Sequence, residues 1–456
     1  MAYYILKSYR LKLEPFEVFR ALSSQRNCFF LDSSLNSNYY LGRYSFLGAE
    51  PFFILKKDKG TPFRELRQML NKYKISPSNT DIPFLGGAVG YCAYDPALLL
   101  ADKIKNENPP YARVPDYLFG FYNTIIIIDH LKRLLFIFSA GFPETTYRTG
   151  RALAEANFKK IYNLLSHFKK PQHLQKKDTG PRRIGAQLES NFTKDNYIKA
   201  VKKAKDYIKK GDIYQVNLSQ GFHAKTHFTA LEIYQRLRKI SPAYFNAYFD
   251  AGPCQILSSS PEGFLRLKGD IVVTRPMKGT RPRSSIRSRD RKFRKDLLAS
   301  SKDKAELLMV VDLERNDLGR VCNYNSITVP KLRQLEKYNT VFQTTATVKG
   351  RIHKDKDRID LLRACLPGGS ITGCPKIRAM EIIEELEPTS RSIYTGSLGY
   401  LSFCGNMDLN ILIRTILKKG KEVSFGVGGG IVADSQPEAE YRETLVKAKG
   451  MMEAIC

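Results

Sequence analysis

Two short stretches place carboxylates three residues apart: Asp303 with Glu306 in KDKAELL, and Glu440 with Glu443 in EAEYRETL. On a helix that spacing brings both acids to one face. Hard carboxylate oxygens with no Cys or His among them suit Mg²⁺, which keeps waters and bridges to anionic substrates. Each pair read alone fits a solvated helix face better than a metal site, and the sequence does not show that the two helices meet. Two glycine runs, VGGGIVADS (427–435) and PGGSITGCPK (367–376), could bring backbone N–H groups close to an anion. The first follows a strand, and the second opens a helix whose N-terminal amides favour negative charge. Arg414 closes the apolar run MDLNILIRT and has the fork geometry to hold a carboxylate. Lys278 in TRPMKGTRPR lies sixteen residues after Glu262 in SSSPEGF. A lysine beside glycine is ordinarily a loop residue in water. It becomes a nucleophile only where burial or neighbouring cations populate the neutral amine.

Several elements must position these groups. Thr193 caps a helix with Tyr197, Val201, Ala204 and Ile208 on one face, and Gly211 stands where a left-handed residue ends it. The strand after it, Ile213 to Phe222, alternates Gln215, Asn217 and Ser219 with Tyr214, Val216 and Leu218, so one face carries amides and hydroxyls and could line a polar cleft. Asn123 to Asp129 and Leu134 to Phe138 read as a hairpin, and Thr145 to Phe168 as a helix. Strands follow near 245–275, helices near 299–311 and 376–386, strands near 398–426, and a helix near 437–454. The order is mixed α+β, with packed sheets surrounded by helices, and no GxGxxG or P-loop opens a helix. The division expected is a strand-rich region 1–168, a linker 169–186 and a second domain 187–456.

The 456 residues carry 74 Lys plus Arg against 45 Asp plus Glu, a net charge of +29. The excess is spread along the chain, densest at Lys159 to Arg183 and Arg281 to Lys295, without the interleaved aromatics of a single-strand binder. Solvated faces and linkers account for it, and no nucleic-acid partner is expected. Eight scattered cysteines, with no CxxC and no His at zinc spacing, fit reduced thiols. The N-terminus has no h-region and the longest apolar run is too short to cross a bilayer, so a cytoplasmic protein without membrane contact is expected.

Taken in order, SSSPEGF, RPMKGTRPR, DKAELLMVVDLERNDLGRV, LPGGSITGCPKIRAMEII, YTGSLGY, LIRT and GVGGGIVADSQPEAEYRETLVKA resemble the chorismate-binding enzymes, the family of anthranilate, aminodeoxychorismate, isochorismate and salicylate synthases. The likeness spans about 190 to 455 and extends to FLDSS (30–34) and GRYSFLGAEP (42–51) in the first region. It implies the family's α+β fold and a chorismate substrate. Glu306 and Glu443 would bind Mg²⁺ directly and Asp303 and Glu440 through its waters. Gly428, Gly429 and Gly430 would offer amides to the ring carboxylate. Arg414, with Tyr400 or Tyr394, would hold the enolpyruvyl carboxylate, Lys447 would complement the negative charge, and Thr372 would add a hydroxyl. A tryptophan pocket is implied near Ser33.

Which member it resembles turns on few positions. Members that add water carry a lysine base in the strand where this chain has Gln215. Anthranilate synthases resemble PIAGT where this chain reads PMKGT with Lys278, and carry a His where it has Gln343. The implied reaction is amination of chorismate at C4 to 4-amino-4-deoxychorismate, with Lys278 as nucleophile and Glu262 as acid, and with anthranilate formation as the alternative. No glutaminase signature occurs in the sequence, so ammonia is expected from a separate glutamine amidotransferase subunit.

Overall fold

The computed structural model describes residues 3–35, 39–58, 62–76, 80–94, 108–110, 112–168, 188–338 and 341–456. The expected linker 169–186 lies outside the described residues.

The run Thr124–Asp129 shows how the layers form. Ile125 and Ile127 enter one buried cluster while Ile126 and Ile128 enter another. A strand that is apolar on both faces must lie in a middle layer. It belongs to a twelve-stranded sheet in which Tyr4–Arg10, Leu134–Ala140, Thr124–Asp129, Tyr44–Gly48 and Phe29–Asp32 are followed by Phe245–Asp250, Gln255–Ser260, Thr415–Lys419, Glu422–Ile431, Gln215–Lys225 and Gly373–Cys374, with Glu189–Ser190 also on Gln215–Lys225. One face packs on a second, ten-stranded sheet. The other is covered by helices including Pro15–Leu22, Ala230–Ile240 and Pro437–Ile455. The expected α+β class is therefore the observed one.

The division at 168 does not produce two folding units. Phe29–Asp32 pairs antiparallel with Phe245–Asp250, Phe30 opposite Tyr248. In the second sheet Gly87–Cys92 pairs with Ser397–Ser402, Gly90 opposite Gly399. Both sheets thus run from one sequence region into the other, and a single large core lies between them.

The helix Lys194–Lys209 begins at Thr193, whose hydroxyl accepts from Asn196 N at 3.2 Å, and Gly211 follows it at φ +82°. The charge-rich stretch before Ser300 is also a helix, Arg287–Ala299, which sequence reading passed over. Leu297 is its one buried residue, too little periodicity to announce it. A second helix, Ser301–Gly319, starts at once, its Ser300 cap accepting from Asp303 N.

Candidate active site

Lys278 lies on the strand Met277–Pro282, at a register shift against Val341–Arg351. Gly279 takes φ +74°, and a Cβ there would come within 2.9 Å of Leu297 and 3.0 Å of Asp303. Glycine is thus required for both conformation and space where the strand turns the lysine inward. Lys278 is half-buried, and burial lowers the basicity of its amine against the pull of Glu306, with Lys447 lowering it further and Glu262 and Glu443 opposing. Among the described residues it makes no ion pair within 4 Å.

Glu262 joins the strands Gln255–Ser260 and Gly263–Lys268, its N–H donating to Ser260 Oγ and its carbonyl accepting from Ile411 N. The side chain is buried. Burial pushes the carboxyl up to about 7, although the Ser370 hydroxyl, Lys278, the Met277 N–H and Lys447 all favour the anion. The two residues that were sixteen apart in sequence are therefore joined through Met277. The result is an amine biased towards its neutral form beside a carboxyl that still carries its proton near neutrality.

Carboxylates of the two acidic helices fall within each other's electrostatic reach. Glu306 on Ser301–Gly319 is held above the usual carboxylate range, first by burial and then, against Lys278 and Lys302, by Asp303 and by Glu440 of the helix Pro437–Ile455. Glu440 is raised by burial and by Glu443, while accepting from Ser435 Oγ at 2.6 Å. Burial also works on Glu443, but Lys447 at 2.8 Å outweighs it and holds that carboxyl low. Asp303 pairs with Arg281 at 2.9 Å. Among the described residues no three His, Cys, Asp or Glu side chains gather closely enough to hold a metal by themselves. A facing set of oxygens without soft donors fits Mg²⁺ all the same, since that ion takes one or two carboxylates and completes its shell with water and substrate.

The three glycines lie within the strand Glu422–Ile431, where sequence reading had put them after one. Asn217 stands opposite Gly430, Leu218 opposite Gly429 and Ser219 opposite Gly428. Their φ angles are negative, so space is what they provide. A Cβ on Gly430 would lie 2.7 Å from Gln215 Nε2 and 3.5 Å from Lys278 Nζ; one on Gly429 would lie 3.4 Å from Glu440 Oε2 and 3.7 Å from Glu443 Oε1. The neighbouring strand Thr415–Lys419 makes its last pair at Ser424, which leaves the glycine stretch with a partner on one edge only. Lys447 Nζ donates to Gly428 O at 2.8 Å, tying the terminal helix to this floor.

Arg414 sits between Met407–Ile411 and Thr415–Lys419 at φ +50°, not at a strand end. Burial lowers its basicity, Ser241 Oγ is 3.4 Å away, and among the described residues no acid pairs with it. Thr372 is buried in the turn after Gly369–Ile371 and spends its hydroxyl proton on the carbonyls of Gly368 and Gly369. It shapes the loop; its proton is not free for a ligand.

Tyr400 is a correction. It lies apart from Arg414, stacked on Phe84 at 4.5 Å, because its position in Ser397–Ser402 faces the space between the two sheets. There it lines a separate cavity of about 610 Å³ with Ser33, Arg43, Tyr44, Tyr244 and Asn246. Ser33 Oγ donates to Tyr44 O at 2.9 Å and Tyr244 O at 3.3 Å. Tyr394, the other candidate, packs against Gly426.

Sequence reading missed the supports. Ser370 donates to Glu262. Arg391 and Glu387 form a buried pair at 2.6 Å; Arg391 also donates to the carbonyls of Asn217 and Ile371, and Glu387 accepts from Ser219 N and Oγ. An i, i+4 Glu/Arg pair next to a proline looks like any solvated pair until burial is known.

Comparison with known proteins follows the same lines. The profile of the family described as chorismate binding enzyme matches residues 26–453. The chain is 35% identical to anthranilate synthase component 1 of Aquifex aeolicus, covering 97% of this chain and 92% of that protein. It is 37% identical to aminodeoxychorismate synthase component 1 of Escherichia coli, covering 86% and 82%. Anthranilate synthase component I from Streptococcus pneumoniae TIGR4 superposes with a TM-score of 0.79 at 31% identity, over 92% of this chain and 93% of that one. The menaquinone-specific isochorismate synthase of Escherichia coli shares the fold at a TM-score of 0.76 and 18% identity, over 100% and 95%.

Proposed function

Because this chain belongs to the chorismate-binding enzyme family, we propose that it is the chorismate-aminating subunit that makes 4-amino-4-deoxychorismate from chorismate and ammonia. The observation that carries this reading is the half-buried Lys278 beside the buried Glu262. Amination at C4 with retention needs two displacements, and an enzyme amine can make the first. Lys278 adds its lone pair at C2, the ring double bonds shift, and the C4–O bond breaks as Glu262 gives its proton to the leaving hydroxyl. Ammonia then bonds to C4, the shift reverses, and the C2–N bond breaks to return the amine. The new ammonium gives one proton back to Glu262.

Glu306 and Glu443 would hold Mg²⁺, with Asp303 and Glu440 acting through its waters; when bound, the ion supplies electrostatic anchoring of the ring carboxylate. Arg414, half-buried and without an acidic partner among the described residues, is suited to the enolpyruvyl carboxylate. Lys447 adds positive charge beside the glycine floor. Relatives bear the name component 1, which supports a partner, and we assign it as a glutamine amidotransferase delivering ammonia. The cavity at Ser33 is where we place a tryptophan ligand. Among the described residues no helix is long and apolar enough to cross a membrane, and the eight unpaired thiols accord with a cytoplasmic setting.

The test is chorismate turnover with ammonium and Mg²⁺, with and without added aminodeoxychorismate lyase. 4-Aminobenzoate formed only with the lyase supports the reading. Fluorescent anthranilate formed directly would overturn it in favour of the activity named for the Aquifex and Streptococcus relatives.

A further inference from the structure

We propose that the helix Arg287–Ala299, beside the strand of Lys278, is an electrostatic capture surface that draws the chorismate dianion to the cleft. This rests on chorismate being the substrate and not on which product forms.

The helix carries Arg287, Arg289, Arg291, Lys292, Arg294 and Lys295, six cations in 13 residues, where the whole chain has 74 in 456. All six are exposed, and among the described residues none is held in an ion pair. Of the two acids on the helix, Asp290 is taken by Arg283 at 2.8 Å, which leaves Asp296 against six cations. Like charges stand at i, i+4 in Arg287 with Arg291 and in Arg291 with Lys295, an arrangement that weakens a helix. Leu297 is the one buried side chain that could compensate. Such a conflict between local preference and observed structure marks a segment kept for something other than stability.

Two contacts fix where this charge lies. Leu297 packs at Gly279, next to Lys278: a Cβ on that glycine would stand 2.9 Å from Leu297 Cδ1. At the other end Arg283, paired with Asp290, donates to the Tyr338 carbonyl at 3.1 Å, and Tyr338 lies within electrostatic reach of Arg414. The helix therefore runs alongside the cleft, its cations spread over about 12 Å. Lys302 on the next helix carries the row on to Glu306 at 3.9 Å.

A dianion arriving here meets Asp303, Glu306, Glu440 and Glu443, which together outweigh the two charges of one Mg²⁺. Lys278 offsets them little, because burial biases its amine towards the neutral form. The helix supplies the attraction that the cleft lacks. Unpaired charge of one sign at the edge of a cleft raises the local concentration of a counter-ion and its rate of arrival. The six side chains act before binding, and Arg414 and Lys447 take over inside. The helix offers a nucleic acid no stacking platform, since its single aromatic, Phe293, is half-buried.

The experiment follows loss of chorismate by the full chain with Mg²⁺ at a fixed, low ammonium concentration. Sodium chloride raises the ionic strength from about 0.05 to about 0.5 M, which shortens the screening length from about 14 to about 4 Å. Wild type is compared with a fourfold variant, Arg289→Gln, Arg291→Gln, Lys292→Gln and Arg294→Gln, in which glutamine keeps the helix propensity. A control loses four exposed cations around the far edge of the twelve-stranded sheet: Arg10→Gln, Lys132→Gln, Arg148→Gln and Lys159→Gln. Loss of the four helix charges should lower the chorismate kcat/KM about tenfold at low salt and leave kcat unchanged. It should also flatten the fall of kcat/KM with salt that wild type shows, while the control follows wild type. Equal salt slopes in wild type and the fourfold variant would overturn the proposal. An equal loss in the control would overturn it as well, since net charge and not this helix would then be the cause. A lower kcat with the slope kept would reduce the helix to a packing role and sink the idea too. Should the fourfold variant not fold, Arg291→Gln with Lys295→Gln decides by the same criteria, with about a threefold loss expected. The parent reading fails separately: a product other than 4-amino-4-deoxychorismate removes C4 amination, while the salt slopes are read from chorismate loss and stand.

Discussion

Two spaces among the described residues, the cavity at Ser33 and the cleft at Lys278, treat charge differently. In the cavity at Ser33, four of the charged lining residues are tied into close ion pairs: Arg43 with Asp129 at 2.9 Å, Asp32 with Arg238 at 2.8 Å, and Asp408 with Arg266 at 2.7 Å. In the cleft at Lys278, carboxylates crowd one another, and Glu262 and Lys278 are both pushed towards neutrality. A space that only holds a ligand can have its charges settled in advance. One that performs chemistry keeps them unsettled until the substrate arrives, and pays in folding stability.

The contrast breaks most visibly at the lysine. Lys278→Ala should cut ammonia-dependent chorismate turnover by about a hundredfold or more, while chorismate still binds; full activity would remove the lysine from the mechanism. Glu262→Gln should cost about 10²–10⁴-fold in kcat. The sign of its pH effect follows from burial. The carboxyl is a donor only while protonated, and with its titration pushed up to about 7 the wild-type rate should fall as pH rises past that point. The glutamine variant should lack that alkaline limb, and a kcat profile from roughly pH 6 to 9 checks it. A limb that survives belongs to another group, and those facing Glu262 are Lys278, Lys447 and Glu314. Arg414→Met should raise the chorismate KM by roughly 10–100-fold with little change in kcat, because one charge-assisted carboxylate contact is lost.

On the other side of the comparison the effect should be small and of another kind. Ser33→Ala removes hydrogen bonds to Tyr44 and Tyr244 carbonyls and should lower unfolding free energy by about 1 kcal/mol, read from denaturant melts, while both KM values stay put. A kinetic change would join the two spaces. Since the chain contains no Trp, indole emission from denatured protein would reveal a ligand carried in this cavity.

Much of the cleft was legible in sequence because its signals are local. The i, i+3 acids, the glycine run and the alternation of Gln215 and Asn217 depend only on helix and strand periods. Tyr400 was misplaced because a residue's period fixes its face relative to its neighbours but not which space that face meets. The helix Arg287–Ala299 was lost for want of apolar residues. The interleaving of the two regions had no local signature at all, since the pairing of Phe30 with Tyr248 depends on partners far apart in the chain.

That interleaving sets a timetable for synthesis. When Phe29–Asp32 leaves the ribosome, its neighbour Phe245–Asp250 does not yet exist; at about 5–20 residues per second the gap between them lasts roughly 10–40 s. The partner of Gly87–Cys92, Ser397–Ser402, comes later still. Throughout that interval those strands lack partners they have in the finished protein, and neither sheet can close until 245–250 and 397–402 have been made.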